Sequence, residues 1–200
     1  MATQTETVVT PERLAQGISY KEWAETIDRN QDKFEDNYKG TTPNPADVAA
    51  INAAAAKIGG VTCLALGEAW CPGVVRGMPV IGKLAEATGL DLKIFFRDQN
   101  LDIMNEFLYK GEFQSIPTLV FYTRDHKYIG HWIEKAKKVR EDSPTHLSPI
   151  TSRIRNQDLT QEERDQAAAD YVEFKKGPIW ASWRDAQVRE IRELLEANCK

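Results

Sequence analysis

The sequence predicts an α/β fold: a central mixed β-sheet with helices on both faces, plus N- and C-terminal helical extensions. Three observations lead there. Strand-length apolar runs alternate with amphipathic helical runs between Val61 and Trp132, in the order β-α-β-α-β-β. The first run, Val61 to Leu66, is nearly all apolar, as a strand is when both its faces are covered. The last two runs flank the polar turn Arg124-Asp125-His126-Lys127, which makes them antiparallel neighbours.

Each element has its own signal. Residues 1–18 read as a flexible N-terminal segment; Met1 to Glu12 has neither a basic start nor an apolar stretch and does not resemble a secretory signal. Ser19 with Glu22 three positions on forms a capping box, and Tyr20, Trp23 and Ile27 follow at helical spacing, which predicts a helix from 20 to about 36. Lys39 to Pro43 is a break. Asn44 and Pro45 then read as an N-cap and first helical residue, and Val48, Ile51, Ala55 and Ile58 form one apolar face until Gly59-Gly60.

A strand over 61–66 is followed by a helix from Pro72 to near Gly89, a strand over 92–96 and a helix over 101–109. Strands over 118–122 and 128–132 close the core. After Ile133 the chain is basic through Arg140, and Ser143, Pro144, Ser148 and Pro149 predict an irregular stretch. Thr160 with Glu163 repeats the capping box before a helix to about Lys176, which Gly177-Pro178 ends. Trp183, Gln187, Val188, Ile191, Leu194 and Leu195 mark a final amphipathic helix. The domain reading is a single domain over 19–200, with its core at 61–133 and a helical C-terminal extension at 134–200.

Composition narrows the function. A net charge of −4 with 42% hydrophobic residues suggests no nucleic-acid or anionic-membrane partner, and no apolar run is long enough to span a bilayer. Three cysteines at irregular spacing do not make a disulfide framework, and the expected home is a reducing cytoplasm. His126, His131 and His146 show no metal-ligand spacing, so neither metal nor other cofactor is expected; His126 reads as a turn residue and His131 as a strand residue.

The chemistry is carried by Trp70-Cys71-Pro72-Gly73, at the passage from strand to helix. With Pro72 at the first helical position, Cys71 falls at the N-cap. There its sulfur could accept hydrogen bonds from the N–H groups of Gly73 and Val74 and feel the positive end of the helix dipole, both of which favour thiolate over thiol. The bland reading is a structural cysteine that merely fills space.

Together with Pro79, eight positions after Cys71, and the segments Phe95-Phe96-Arg97-Asp98 with Asn100 and Ser115-Ile116-Pro117-Thr118, this motif resembles the thioredoxin superfamily. More narrowly it resembles a group of bacterial thioredoxin-like proteins with a Trp-Cys motif whose second cysteine is missing. The resemblance is strong over Val61 to Trp132 and implies a thioredoxin-like fold, a helix kinked at Pro79, and a cis Ile116–Pro117 bond facing Cys71. It also implies that the Ile116 backbone can pair with an extended substrate segment.

The pattern departs from the family at two places. Val74 stands where the second cysteine of Cys-x-x-Cys would resolve a mixed disulfide, and Ala65 stands where the buried acid would be. Cys63 lies in the strand and reads as core packing. Cys199, next to last, reads as a frayed terminal residue that could reach Cys71 of the same or a neighbouring chain but is more simply incidental. Glu68 could act as a base near the thiol, though its charge would oppose a low thiolate pKa; Arg76 could supply positive charge near the pocket but reads more simply as part of a solvated helix face.

The leading expectation is a protein with one reactive thiol, Cys71, exchanging with a protein disulfide or glutathione, with Trp70, Pro72, Gly73, Ile116 and Pro117 binding the substrate. The competing reading is a redox-inactive thioredoxin-fold module for binding proteins; a third is a sensor whose cysteine oxidises to a sulfenic acid. The aromatic-rich terminal helices, with Trp23, Tyr38, Trp180 and Trp183, could pack internally or form a homodimer face.

Overall fold

A computed structural model describes residues 7–200. The sheet has four strands, β1 (Val61–Gly67), β2 (Asp91–Phe96), β3 (Thr118–Thr123) and β4 (Tyr128–Ile133), in the order β2-β1-β3-β4. β1 runs parallel to β2 and antiparallel to β3, and β3 is antiparallel to β4. Every residue of β1 is buried, so both faces of the central strand are covered, as its apolar run predicts. This is an α/β thioredoxin-like fold.

Ten α-helices surround the sheet among the described residues: α1 (Pro11–Leu14), α2 (Tyr20–Thr26), α3 (Gln31–Lys39), α4 (Pro45–Lys57), α5 (Pro72–Thr88), α6 (Leu101–Glu106), α7 (Lys137–His146), α8 (Ser148–Arg155), α9 (Gln161–Lys176) and α10 (Pro178–Asn198). Both capping boxes form as read, at Ser19 and Glu22 and at Thr160 and Glu163. Asn44 caps α4 by accepting from the Ala46 N–H, with Pro45 in the first turn.

Four expectations are corrected. The helix placed at 20–36 is two helices, because the chain turns at Asn30, whose φ is 58°. Asparagine tolerates that left-handed backbone, and its side-chain N–H donates to the Ala69 carbonyl at 2.9 Å, which ties the turn to the loop before Cys71. The irregular stretch after Ile133 is mostly helical, α7 and α8; Pro149 falls in the first turn of α8, where no intrahelical donor is needed. The helix at 101–109 stops at Glu106, and Lys110 and Gly111, both at positive φ, turn the chain so that Tyr109 pairs with Phe113.

The fourth concerns the flexible segment at 1–18. Met1 to Glu6 lie outside the described residues, but parts of the chain from Val9 onward are packed against the rest. Val9 and Leu14 are buried, and the His126 ring bonds the Val9 carbonyl. Ile18 exchanges two backbone hydrogen bonds with Ile94, at 3.0 and 2.8 Å, along the otherwise open edge of β2. Covering a sheet edge is a physical reason for this order.

The terminal aromatics pack inward. Trp23, Trp180 and Trp183 are buried, and the partly buried Tyr38 stacks on Tyr20 with centroids 4.9 Å apart.

Pro79 lies inside α5, and its missing N–H leaves the Val75 carbonyl without its helical donor. Asn37 on α3 supplies one at 3.2 Å, while its amide oxygen accepts from the buried Trp180 Nε1 at 2.9 Å. One buried side chain thus links the proline-bearing helix to α3 and α10.

Candidate functional site around Cys71

Cys71 is the N-cap of α5, with φ −83° and ψ 121°, and its carbonyl accepts the Val75 N–H at 3.0 Å. The sulfur, however, makes no capping bond with the helix. The expected N–H···S contacts from Gly73 and Val74 are replaced by donation from the thiol to the Ile116 carbonyl oxygen at 3.6 Å. The loop opposite, close enough to compete for the sulfur, is the reason.

That loop carries a cis Ile116–Pro117 bond, as the resemblance implied. It sits against α5 through two glycines. A Cβ on Gly73 would lie 3.0 Å from the Ile116 carbonyl oxygen and 3.6 Å from both the Cys71 sulfur and Pro117 Cδ. A Cβ on Gly77 would meet Pro117 Cγ at 3.1 Å. Residues four apart share a helix face, so Gly73 and Gly77 leave the groove into which the proline loop fits. The Gly77 carbonyl accepts from Gln187 Nε2 of α10 at 3.0 Å, and the Pro117 carbonyl accepts the Glu134 N–H at 2.7 Å. The structure therefore brings Cys71, Gly73, Ile116 and Pro117 together.

Trp70 and Pro72 stand beside this group rather than within it. Trp70 is 47% exposed; its Nε1 donates to Asp98 at 3.2 Å and the Arg97 guanidinium lies 5.3 Å from its ring centroid. Pro72 is exposed and, with Trp70, borders a cleft of about 530 Å³ whose far wall is α8 and α9.

The three cysteines are all free but differ in access: Cys71 is partly exposed, whereas Cys63 and Cys199 are buried. Burial pushes both buried thiols up. Cys199, expected to fray and to be able to reach Cys71, instead ends α10 with its N–H bonded to the Leu195 carbonyl at 2.8 Å. α10 is 21 residues long, and its last residues approach the Thr123–Arg124 end of the sheet. Cys71 follows the opposite end of β1, so Cys199 cannot serve it within one chain.

Glu68 is engaged by the loop after β2. Its carboxylate accepts the Asp98 N–H at 2.8 Å, and burial, helped by the Asp98 charge, pushes its carboxyl up. Arg76 corrects the reading of a solvated helix face: it is 8% exposed, with its guanidinium carbon 5.9 Å from the ring centroids of both Trp180 and Trp183. Burial pushes this guanidinium down, partly offset by the neighbouring Tyr171, Glu134 and Cys71 side chains. Burial opposes ionisation of Glu134 too, but Lys135 at 2.7 Å and Arg140 at 3.0 Å hold its carboxyl below the usual range.

Among the described residues no group of three or more His, Cys, Asp or Glu side chains could hold a metal ion, and no helix is long and apolar enough to cross a membrane. Sequence reasoning missed Asn37, Gly77 and Gln187 as supports of the site. The spacing of Gly73 and Gly77 was the one available signal, because paired glycines on a helix mark a close approach.

A family model described as thioredoxin matches residues 17–146. Among curated proteins none matches the sequence. Of solved structures, a Pseudomonas aeruginosa protein of unknown function is similar at 14% identity and a TM-score of 0.64, covering 96% of this chain and 99% of its own. An HIV epitope-scaffold is similar at 13% identity and a TM-score of 0.44, covering 90% of this chain and 99% of its own.

Proposed function

We propose that this chain, which belongs to the thioredoxin family, carries out thiol–disulfide exchange through a single cysteine, Cys71. The observation that carries this reading is access: Cys71 alone of the three cysteines is partly exposed, and it heads α5 beside the Ile116–Pro117 loop. In the forward step the Cys71 thiol gives its proton to solvent, and the sulfur attacks one sulfur of a disulfide RS–SR. An S–S bond forms to Cys71, the other breaks, and RS⁻ leaves and takes up a proton. A second thiol from outside then attacks the mixed disulfide and frees Cys71, because Val74 offers no resolving thiol within the motif.

In this reading Ile116 and Pro117 hold the backbone of the substrate beside the sulfur. The Ile116 N–H bonds no acceptor among the described residues, which leaves a donor for an extended segment. Gly73 keeps the loop close, and Trp70 and Pro72 form the rim that the substrate crosses. A protein disulfide or glutathione supplies the partner sulfur. Three free thiols suit a reducing compartment such as the cytoplasm.

One observation favours a second reading, a redox-inactive binding module: the sulfur donates to a carbonyl instead of accepting from helix N–H groups. Incubation with a neutral disulfide, bis(2-hydroxyethyl) disulfide, and peptide mapping by mass spectrometry separates the two. A mixed disulfide on Cys71 alone supports exchange; an unmodified Cys71 supports the binding module.

A further inference from the structure

We infer that the cleft beside Cys71 selects small acidic disulfides, carboxylate-bearing peptides whose anionic groups lie along α3, α8 and α9 while their sulfur meets Cys71; this rests on the exchange reading above. The cleft, about 530 Å³, falls in the ~300–1,000 Å³ range of small-molecule sites. Trp70 and Pro72, the residues flanking Cys71, form its near edge, so a substrate reacting at the sulfur has this cleft within reach.

Its charge is one-sided. Lys33, Arg155 and Lys175 line it and no carboxylate does. None of the three forms an ion pair among the described residues; Lys33 donates to the neutral Asn30 amide at 2.7 Å, and Lys175 lies over the Tyr171 ring at 5.2 Å. Asp32 and Asp36 act on Lys175 from outside the lining.

A second, independent observation is Arg76. Behind the wall that Tyr171 and Trp180 give the cleft, this residue is only 8% exposed, and its guanidinium makes no hydrogen bond or ion pair among the described residues. Yet its nitrogens are not among the fully sealed unpaired atoms, so each keeps some open surface. Buried cations are ordinarily paired, and an arginine fork matches a carboxylate. The guanidinium feels the Glu134 carboxylate but bonds no anion among the described residues, which leaves its fork for a carboxylate that reaches past the Tyr171 and Trp180 wall.

Exchange rates of Cys71 with three disulfides test this at low ionic strength: oxidised glutathione (anionic), bis(2-hydroxyethyl) disulfide (neutral) and cystamine (cationic). The double variant Lys33→Gln/Lys175→Gln should slow the glutathione reaction about tenfold and leave the neutral one within about twofold. Salt at 1 M should shrink the preference in the same direction (a Debye length of about 3 Å). Arg76→Gln should act likewise; if it unfolds, the lysine variant still decides. An unchanged glutathione-to-neutral ratio in the double variant, or cystamine reacting as fast as glutathione, overturns the inference.

Should Cys71 react with none of the three, the exchange reading fails by itself. The cleft is then judged by calorimetric titration with S-methylglutathione, which cannot exchange. Binding that weakens about tenfold in the double variant supports the inference, and absence of binding overturns it.

Discussion

The Cys71 sulfur lies 3.6 Å from the Ile116 carbonyl oxygen, and Gly73 packs closely against that same oxygen. A methyl group at position 73 would stand 3.0 Å from that oxygen, tight enough that the loop must give by a few tenths of an ångström. Gly73→Ala should therefore push the proline loop away from α5. The expected loss is about 1–3 kcal/mol, the usual range for overpacking, and a fall in Tm of several degrees, read by differential scanning calorimetry. The exchange rate of Cys71 should change with it, since the loop and the sulfur share the contact.

Asn37 is expected to matter for stability far more than its polar character suggests. Its removal in Asn37→Ala would strand both the Trp180 Nε1 and the Val75 carbonyl that Pro79 leaves without a donor. Each unsatisfied buried group costs about 1–3 kcal/mol, so a loss of about 2–5 kcal/mol should appear in urea unfolding followed by tryptophan fluorescence. A loss below about 0.5 kcal/mol would mean that water replaces the amide without penalty.

Much of the fold was legible in the sequence, because its signals are local. The two capping boxes, the Asn44-Pro45 start and the unbroken apolar run of β1 each encode their element within a few residues. The turn at Asn30 was not legible: what stabilises it is a hydrogen bond to Ala69, 39 residues away in the chain. The burial of Arg76 was hidden for the same reason, since the indoles that cover it come from α10. The order at Val9 to Ile18 likewise depends on a sheet edge and a histidine far along the chain. In the site, Cys71, Ile116 and Pro117 could be placed from the motif; the acceptor of the thiol could not, because helix and loop compete for it.

Glu68 sets a pH dependence whose sign follows from burial. Its carboxyl is pushed up in the folded state, so the native protein holds that proton more tightly than the unfolded chain. The stabilisation is present below the unfolded carboxyl's range, near pH 4.5, and is lost as pH rises through the higher folded value. Glu68→Gln can still accept the Asp98 N–H but cannot ionise. Its Tm relative to the wild type should therefore rise between about pH 4 and about pH 7, as measured by thermal melts at both values. A constant difference would show that Glu68 is not buried enough to matter.

Trp70 is expected to act in recognition rather than in stability. It is half exposed, and its polar contacts are with the exposed Asp98 and the partly buried Arg97. Trp70→Ala should shift stability by no more than about 0.5–1 kcal/mol while slowing exchange with a disulfide-bonded peptide several-fold. Equal rates in variant and wild type would remove Trp70 from the substrate path.

The most direct test of the account counts reactive thiols in the native protein with 5,5′-dithiobis(2-nitrobenzoic acid), a chromogenic disulfide. One thiol per chain should react rapidly, none in Cys71→Ser, and the buried Cys63 and Cys199 should appear only on denaturation. No fast thiol in the native wild type, or a fast thiol that survives in Cys71→Ser, would contradict the claim that this chain works through Cys71.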